Sequence, residues 1–406
     1  MGVIIFVGII LVITGLIHLY LWKRLVRDTT RAGRWRRAGT IAIIALALLI
    51  PATLIGGRAG LGAFSWPGYL WLAVMFYLLV ILALLEIPML VARRVVTRRS
   101  PAAVAATAPA GPPDAQGPPE PLGPPPSEPD GPASPDRRLL LARGAAIFAG
   151  LTAASLTGYG VRTALSAPRV DRVRIDLAKL PRSMDGLRIA TVSDIHLGPL
   201  AGRAHAERIV SVINSVDADI VAVVGDLVDG TVAELGAAAE PLREIRSRLG
   251  AYFVTGNHEY YSGYQEWVTE IARLGVRPLR NERLEIDGLD LAGVNDLGGA
   301  DFGDGPDLRR ALGDRDAKRP VVLMAHQPVV AHDAAPFGVD LQVSGHTHGG
   351  QMVPFNLLVG LEQPVVSGLG KVDGVPVYVT NGAGFWGPPV RVGAPPQVTV
   401  IELRTP

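Results

Sequence analysis

The sequence predicts an α/β domain of two packed sheets flanked by helices in its C-terminal half, preceded by membrane-spanning helices. Three observations predict it. From Val170 onward, short β-branched runs first alternate with helical periodicity and then succeed one another as strands. Before that point, long apolar runs recur at membrane-crossing length. The charge is also split: residues 1–169 carry 17 Lys+Arg against 7 Asp+Glu, and residues 170–406 carry 22 against 30.

The membrane elements come first. Val3–Trp22 is an almost unbroken apolar run, with no positive residue ahead of it to make it a secretory signal. Thr40–Ile55 is a second run, broken mildly by Pro51, and Tyr69–Ala92 a third, with Tyr69 and Trp71 where interfacial anchors belong. His18 and Glu86 are the ionisable residues inside these spans; each either reaches toward the interface or pairs with the other. Lys23, Arg24, Arg27, Arg31, Arg34, Arg36 and Arg37 fill the first loop, Arg58 alone the second, and Arg93, Arg94, Arg98 and Arg99 come after the third span. Positive residues stay in the cytoplasm, so the N-terminus is expected outside and the chain inside after the third span.

Pro101–Pro135 holds 13 prolines and reads as an extended linker without a core of its own. Leu139–Val161 is a fourth apolar segment, interrupted by Arg143 and preceded by Arg137 and Arg138. It is a fourth membrane helix, a degenerate twin-arginine export signal, or a helix of the globular domain; the first two place the α/β domain outside the cytoplasm. The expected organisation is therefore a three-helix membrane domain over 1–99, a linker over 100–138, the fourth segment over 139–162 and an α/β domain over 170–404.

Within that domain, strands are expected at Leu187–Ser193, Ile220–Val224, Tyr252–Thr255, Leu284–Ile286, Leu289–Val294, Val321–Met324, Leu341–Val343, Val375–Val379 and Val398–Leu403. Helices are expected over His205–Val216, Val232–Leu249 with an interruption at Pro241, and Glu266–Leu274. The acidic balance of this half argues against a nucleic-acid partner. The chain has no cysteine, which excludes disulfides, zinc–thiolate sites and cysteine nucleophiles.

Five short blocks carry the chemistry: Asp194-Ile195-His196, Gly225-Asp226-Leu227-Val228-Asp229, Gly256-Asn257-His258-Glu259, His326, and Gly345-His346-Thr347-His348. Four of them fall where a predicted strand ends. Taken singly, His326 or His346 reads as a hydrogen-bonded structural histidine and Asp229 as a helix cap. Together they hold five of the chain's eight histidines; His205 and His332 fall outside and read as surface or loop residues. Asp194 and His196, two apart, face one point if the chain is extended. The glycines before Asp226, Asn257 and His346 permit the tight turn that carries a ligand off a strand end. Carboxylate, imidazole and amide oxygen suit Mn, Fe or Zn, with Mg admissible. An aspartate can bridge two ions, and two carboxylates leave such a centre net positive, as an anionic phosphate requires.

These blocks resemble the calcineurin-like metallophosphoesterase superfamily, whose pattern is D-x-H, G-D-x-x-D, G-N-H-[DE], H and G-H-x-H. The contexts Leu187–Pro199, Gly225–Gly230, Gly256–Tyr261 and Ser344–Gln351 look like its bacterial membrane-attached or exported branch. The resemblance spans about Val170–Leu403 and implies a four-layer α/β/β/α sandwich with two divalent metal ions. It implies that Asp194, His196, Asp226 and His348 hold one metal, and that Asp226, Asn257, His326 and His346 hold the other. His258 would protonate the leaving oxygen, Asp229 would orient His258, and a metal-bound hydroxide would attack the phosphorus. Phe385, Trp386 and Arg391 would line the substrate cleft or pack beside it. The expected substrate is a phosphate mono- or diester or a pyrophosphate, lipid-linked or part of the envelope. The rival reading is a metal-binding scaffold or sensor without catalysis.

Overall fold

A computed structural model of the chain describes residues 2–58, 64–98 and 134–406. The Pro-rich linker expected over 101–135 lies almost wholly outside the described residues. Contacts divide the chain into two compact units, Met1–Pro51 with Val74–Ala154, and Ala52–Ala73 with Ser155–Pro406.

Four long helices occupy the N-terminal part: α1 (Gly2–Leu21), α2 (Arg34–Arg58), α3 (Ser65–Arg98) and α4 (Ser134–Leu165). Among the described residues, Arg34–Leu54, Ser65–Val91 and Leu139–Leu165 are long and apolar enough to cross a membrane. Leu48, Ile87 and Leu151 stand exposed on them, as side chains facing lipid would. Glu86 accepts from Tyr20 Oη (2.9 Å) and Arg24 Nε (2.6 Å), while His18 Nδ1 meets the Thr14 carbonyl at 2.8 Å. The carboxylate of α3 is thus neutralised by an arginine just beyond α1.

The second unit builds two six-stranded sheets. β1 (Arg169–Asp176) and β2 (Leu187–Val192) open the first sheet. α5 (Arg203–Ser215), β3 (Ile220–Val224), α6 (Val232–Ala239) and β4 (Ala251–Val254) continue it. The short α7 (Asn257–Tyr261), α8 (Tyr264–Arg273) and the two-residue β5 (Arg277–Pro278) complete it. Its order is β1-β12-β2-β3-β4-β5, where β12 is the C-terminal strand Gln397–Arg404, parallel to β1 and antiparallel to β2. The second sheet uses β6 (Glu282–Ile286), β7 (Leu289–Gly293), β8 (Val321–Met324), β9 (Leu341–Ser344), β10 (Gly368–Val372) and β11 (Val375–Val379), in the order β10-β11-β9-β8-β7-β6. The short helices α9 (Leu308–Leu312), α10 (Ala331–Ala334) and α11 (Asn356–Val359) lie between its strands in sequence.

The period-two alternation of each central strand sorts its side chains into layers. In β3, Val221 and Val223 join the cluster that holds Ile209, Ile213, Trp267 and Ile271 of α5 and α8. Ile220, Ala222 and Val224 face the other way, into the cluster shared with Leu291, Val322, Met324 and Val343 of the second sheet. A third cluster packs Val321 and Leu323 against Ala311 and Leu312 of α9 and Ala331 and Ala334 of α10. Three apolar seams between four layers make the α/β/β/α sandwich. Parallel strands covered on both faces read as near-continuous apolar runs, which is why their positions were visible in the sequence.

Two expectations are corrected. The helix expected over Val232–Leu249 ends at Ala239 and passes into a 3-10 turn over Glu240–Glu244, because Pro241 has no N–H to continue the α ladder. Three strands were not expected: β1, β5 and β10. β1 is an edge strand whose Arg172 and Arg174 break the apolar pattern, β5 has two residues, and β10 carries two glycines.

Candidate metal centre

Asp194 comes after β2, Asp226 after β3, Asn257 after β4, His326 after β8 and His346 after β9. All five blocks therefore leave the C-terminal ends of parallel strands, the edge of an α/β sheet where ligands bind.

The turns that carry them are unusual. Asp194, His196, Asp226, His346 and His348 all have φ between 50° and 70°. Asp194 and His196 converge through this left-handed backbone and not through an extended chain, contrary to the sequence expectation. Left-handed backbone costs a non-glycine residue about 1–3 kcal/mol, so the surroundings must hold it. They do: Asp194 N donates to Gly225 O (3.0 Å), His196 N to Asp226 O (3.2 Å) and Leu197 N to Leu227 O (2.9 Å), tying the first two turns together. Glu259, fully buried, accepts from the backbone N–H of Gly256 (2.6 Å), Asp226 (3.0 Å) and Leu227 (2.7 Å), tying the second to the third. Burial, with Asp226 nearby, pushes its carboxyl up to about 7. The role of Glu259 went unread in the sequence, although it stands beside His258.

The glycines also differ in their reason. Gly225 is left-handed at φ +77°. Gly256 is extended (φ −100°, ψ −176°), and what it provides is space: a Cβ there would collide with Asp226, as one at Gly345 would collide with Ser193 and Asp194.

The predicted site residues come together as two triplets whose ligand atoms lie within 4.8 Å of one another: Asp194, His196 and His348, and Asp226, His326 and His346. A third group of the same kind, His196, Asp226 and His258, overlaps them, so Asp226 stands between the two halves. His196 Nε2 is 3.8 Å from Asp226 Oδ2, His326 Nε2 is 3.2 Å from the same oxygen, and His348 Nε2 is 3.4 Å from Asp194 Oδ1. Asn257 Oδ1 is buried with no hydrogen-bond partner among the described residues. That unpartnered buried acceptor, left-handed turns that aim side chains inward and two buried carboxylates fit divalent cations well. Burial, and the charge of Asp226, push the Asp194 carboxyl upward.

Asp229 holds two imidazoles on one oxygen: Oδ1 is 2.9 Å from His196 Nδ1 and 2.7 Å from His258 Nδ1. Burial tends to raise Asp229, but the two histidines outweigh it and hold it down to about 2. Burial likewise tends to lower His258, and Asp226 and Asp229 overcome it, raising it to about 9. Its Nε2 lies 4.0 Å from Asp226 Oδ2.

Of the three tail residues expected at the cleft, only Trp386 borders it. Its ring lies 5.9 Å from that of His258 and is exposed, with Tyr261 5.8 Å from His258 on another side. Phe385 is buried against Ala164 and Ala201. Arg391 is fully buried: it donates through Nε to Gly384 O (2.9 Å) and through Nη1 to His348 O (2.8 Å) and Asn381 O (2.8 Å). Its Nη2 donates to His348 Nδ1 (3.0 Å). His205 is buried on α5 beside Phe385, not at the surface, and burial pulls it down to about 4. His332 is exposed and meets Asp373 at 2.6 Å.

A family model for calcineurin-like phosphoesterases matches residues 187–350, the stretch that holds all five blocks. The chain is 39% identical over 272 residues to a "transmembrane protein with metallophosphoesterase domain" of Danio rerio, covering 64% of this chain and 62% of that protein. It is 36% identical over 255 residues to an uncharacterized metallophosphoesterase of Helicobacter pylori, covering 61% of this chain and 68% of that one. It is 34% identical over 241 residues to another of Aquifex aeolicus, covering 58% of this chain and 92% of that one. The match thus extends beyond bacteria, and the chain spans less than two thirds of the length of the Danio rerio protein.

Proposed function

The chain belongs to the calcineurin-like metallophosphoesterases; from that premise we propose that it is a metal-dependent phosphoric ester hydrolase, and how its residues divide the work, and where. Asp194, His196, Asp226 and His348 would hold one divalent ion, and Asp226, Asn257, His326 and His346 would hold a second. Mn, Fe or Zn suit this donor set, and Mg is admissible. When bound, such a pair neutralises phosphate charge and lowers the pKa of a shared water.

The chain's own groups do the rest. His258 stands at the open edge, where as general acid it delivers a proton to the departing ester oxygen. Asp229 fixes the ring through Nδ1, so that Nε2 faces the cleft. The exposed rings of Tyr261 and Trp386 border the entrance. The observation that carries this reading is the Asp229–His258 pair at the rim of the two ligand triplets. A scaffold that only stores metal needs no carboxylate-oriented imidazole aimed at its own cleft.

The organisation is proposed as a membrane domain over 1–99, a linker over 100–138, a fourth membrane segment or export signal over 139–162 and the hydrolase over 170–404. The catalytic domain lies outside the cytoplasm of a multi-pass membrane protein, and its substrate is a phosphate mono- or diester or a pyrophosphate of a lipid-linked or envelope compound. The test is hydrolysis by the purified full chain of a panel of mono-, di- and pyrophosphate esters, each with Mn, Zn, Fe and Mg. Turnover on at least one class is expected. Two bound metals with no turnover on any would establish the scaffold reading instead.

A further inference from the structure

The segment that follows the last ligand block carries exposed apolar side chains that belong to no core cluster among the described residues. Leu361 is 83% exposed, Leu357 69%, Leu358 57% and Val353 42%, and Trp386 beside His258 is 57% exposed. Single exposed leucines are ordinary, but four exposed apolar side chains within one short segment are not. No residue of the 353–361 segment carries a charge.

The two rim segments are one structural piece. Val353 N donates to Val392 O (3.0 Å) and Val392 N to Gln351 O (2.9 Å). Gln351 Nε2 reaches Trp386 O (2.9 Å) and Pro388 O (3.1 Å). The same piece is fixed to the chain's apolar helices inside one compact unit. Arg391 N donates to Gly160 O (2.9 Å), near the end of α4. Gly160 has no room for a Cβ because Val390 occupies the space, and Gly387 lies beside the ring of Tyr69, at the start of α3. The segment Trp386–Val392 therefore touches the mouth of the cleft, the ends of two membrane-length helices and the apolar rim.

We propose that the Val353–Leu361 loop and Trp386 dock into the surface of the bilayer that α3 and α4 enter, and that the ester cleaved is part of a lipid headgroup drawn into the cleft from that surface. Continuity identifies the occupant. A rim tied to the point where two lipid-length helices end meets the headgroup layer of the same membrane. Leucines suit its acyl boundary and an exposed tryptophan its interface. The substrate half rests on the hydrolase reading above; the docking half does not.

The natural absence of cysteine permits the test. Leu361→Cys in the full chain, labelled with an environment-sensitive dye in nanodiscs, is compared with Asp287→Cys, at the opposite end of the strands. Doxyl-labelled lipids should quench the dye at least threefold at position 361 and leave position 287 unchanged. Equal behaviour at the two positions would overturn docking. The triple change Leu357→Asp, Leu358→Asp, Leu361→Asp should leave turnover of a water-soluble nitrophenyl phosphate ester within twofold and lower turnover of a headgroup phosphate ester in nanodiscs at least tenfold. Wild-type turnover of the soluble ester alone would overturn the lipid substrate. Quenching at 361 without turnover of any ester would support docking while overturning the hydrolase reading. If the triple variant loses soluble turnover as well, quenching at 361 decides docking and wild-type turnover decides the substrate.

Discussion

Asp229 Oδ1 stands between two imidazoles, and the two contacts ask different things of it. Toward His196 it fixes a candidate metal ligand; toward His258 it fixes the proposed acid. Removing His258 should therefore touch chemistry and spare the metals. His258→Ala is expected to keep both metals while kcat falls ~10²–10⁴-fold on esters with basic leaving groups. The fall should be much smaller for nitrophenolate, which departs without a proton. Equal loss on both kinds of ester would argue against the acid role, and loss of metal would make His258 a ligand. Asp226 makes the opposite case. It lies near His196, His258 and His326 at once. Asp226→Asn is expected to abolish turnover and reduce metal content per chain at both sites, measured by elemental analysis. Two metals per chain with normal turnover would end the bridging assignment.

At the scale of elements, the site depends on how the tail is held. The segment Asn381–Ala394 closes behind the first and last blocks: Ala383 N donates to Ser193 O (2.8 Å) and Gly384 N to Asp194 O (2.8 Å). Arg391 ties it to His348, and burial has already pulled its guanidinium down to about 9. Arg391→Leu would strand the carbonyls of Gly384, His348 and Asn381 in the core, each worth about 1–3 kcal/mol when unpaired. A Tm loss of roughly 8 °C is expected, from about 3 kcal/mol in a domain of this size. A cleft-lining arginine would instead raise KM at unchanged Tm, so thermal unfolding beside kinetics separates the two. The sequence left both readings of Arg391 open because a buried arginine satisfied by carbonyls leaves no pattern along the chain. The ligand blocks were legible for the opposite reason: each comes after a largely apolar strand, and the motif begins where the apolar run stops. β1 was hidden because an edge strand has one covered face, and its partner β12 lies more than two hundred residues away. The left-handed turns were hidden too, since Asp and His in a D-x-H string read as extended until the turns that brace them are in place.

At the scale of the whole molecule, topology decides which compounds the site can meet. Seven positive residues precede the second span, one comes after it, four come after the third, and Arg137 and Arg138 precede the fourth. Each value agrees with an N-terminus and a catalytic domain outside the cytoplasm. Arg143, a short way into α4, is the residue hardest to place in lipid. It donates through Nε to the Thr29 carbonyl at 3.0 Å, a partner in the loop between the first two apolar helices. That loop holds the Lys and Arg cluster assigned to the cytoplasmic side, so under the proposed topology the bond would keep Arg143 on that side while the rest of α4 crosses. A periplasmic or cell-surface reporter fused at Pro406 is therefore expected to be active, and one fused within 101–135 inactive. Changing Arg137 and Arg138 together to Lys should reduce export only if a twin-arginine route carries the domain; unchanged export would assign 139–162 to an ordinary membrane helix. A reporter at Pro406 active only in the cytoplasm would remove the outer placement and the envelope substrate with it. It would leave the convergence of Asp194, His196, Asp226, His326, His346 and His348 untouched, because that geometry depends on the two sheets and not on the side of the membrane they face.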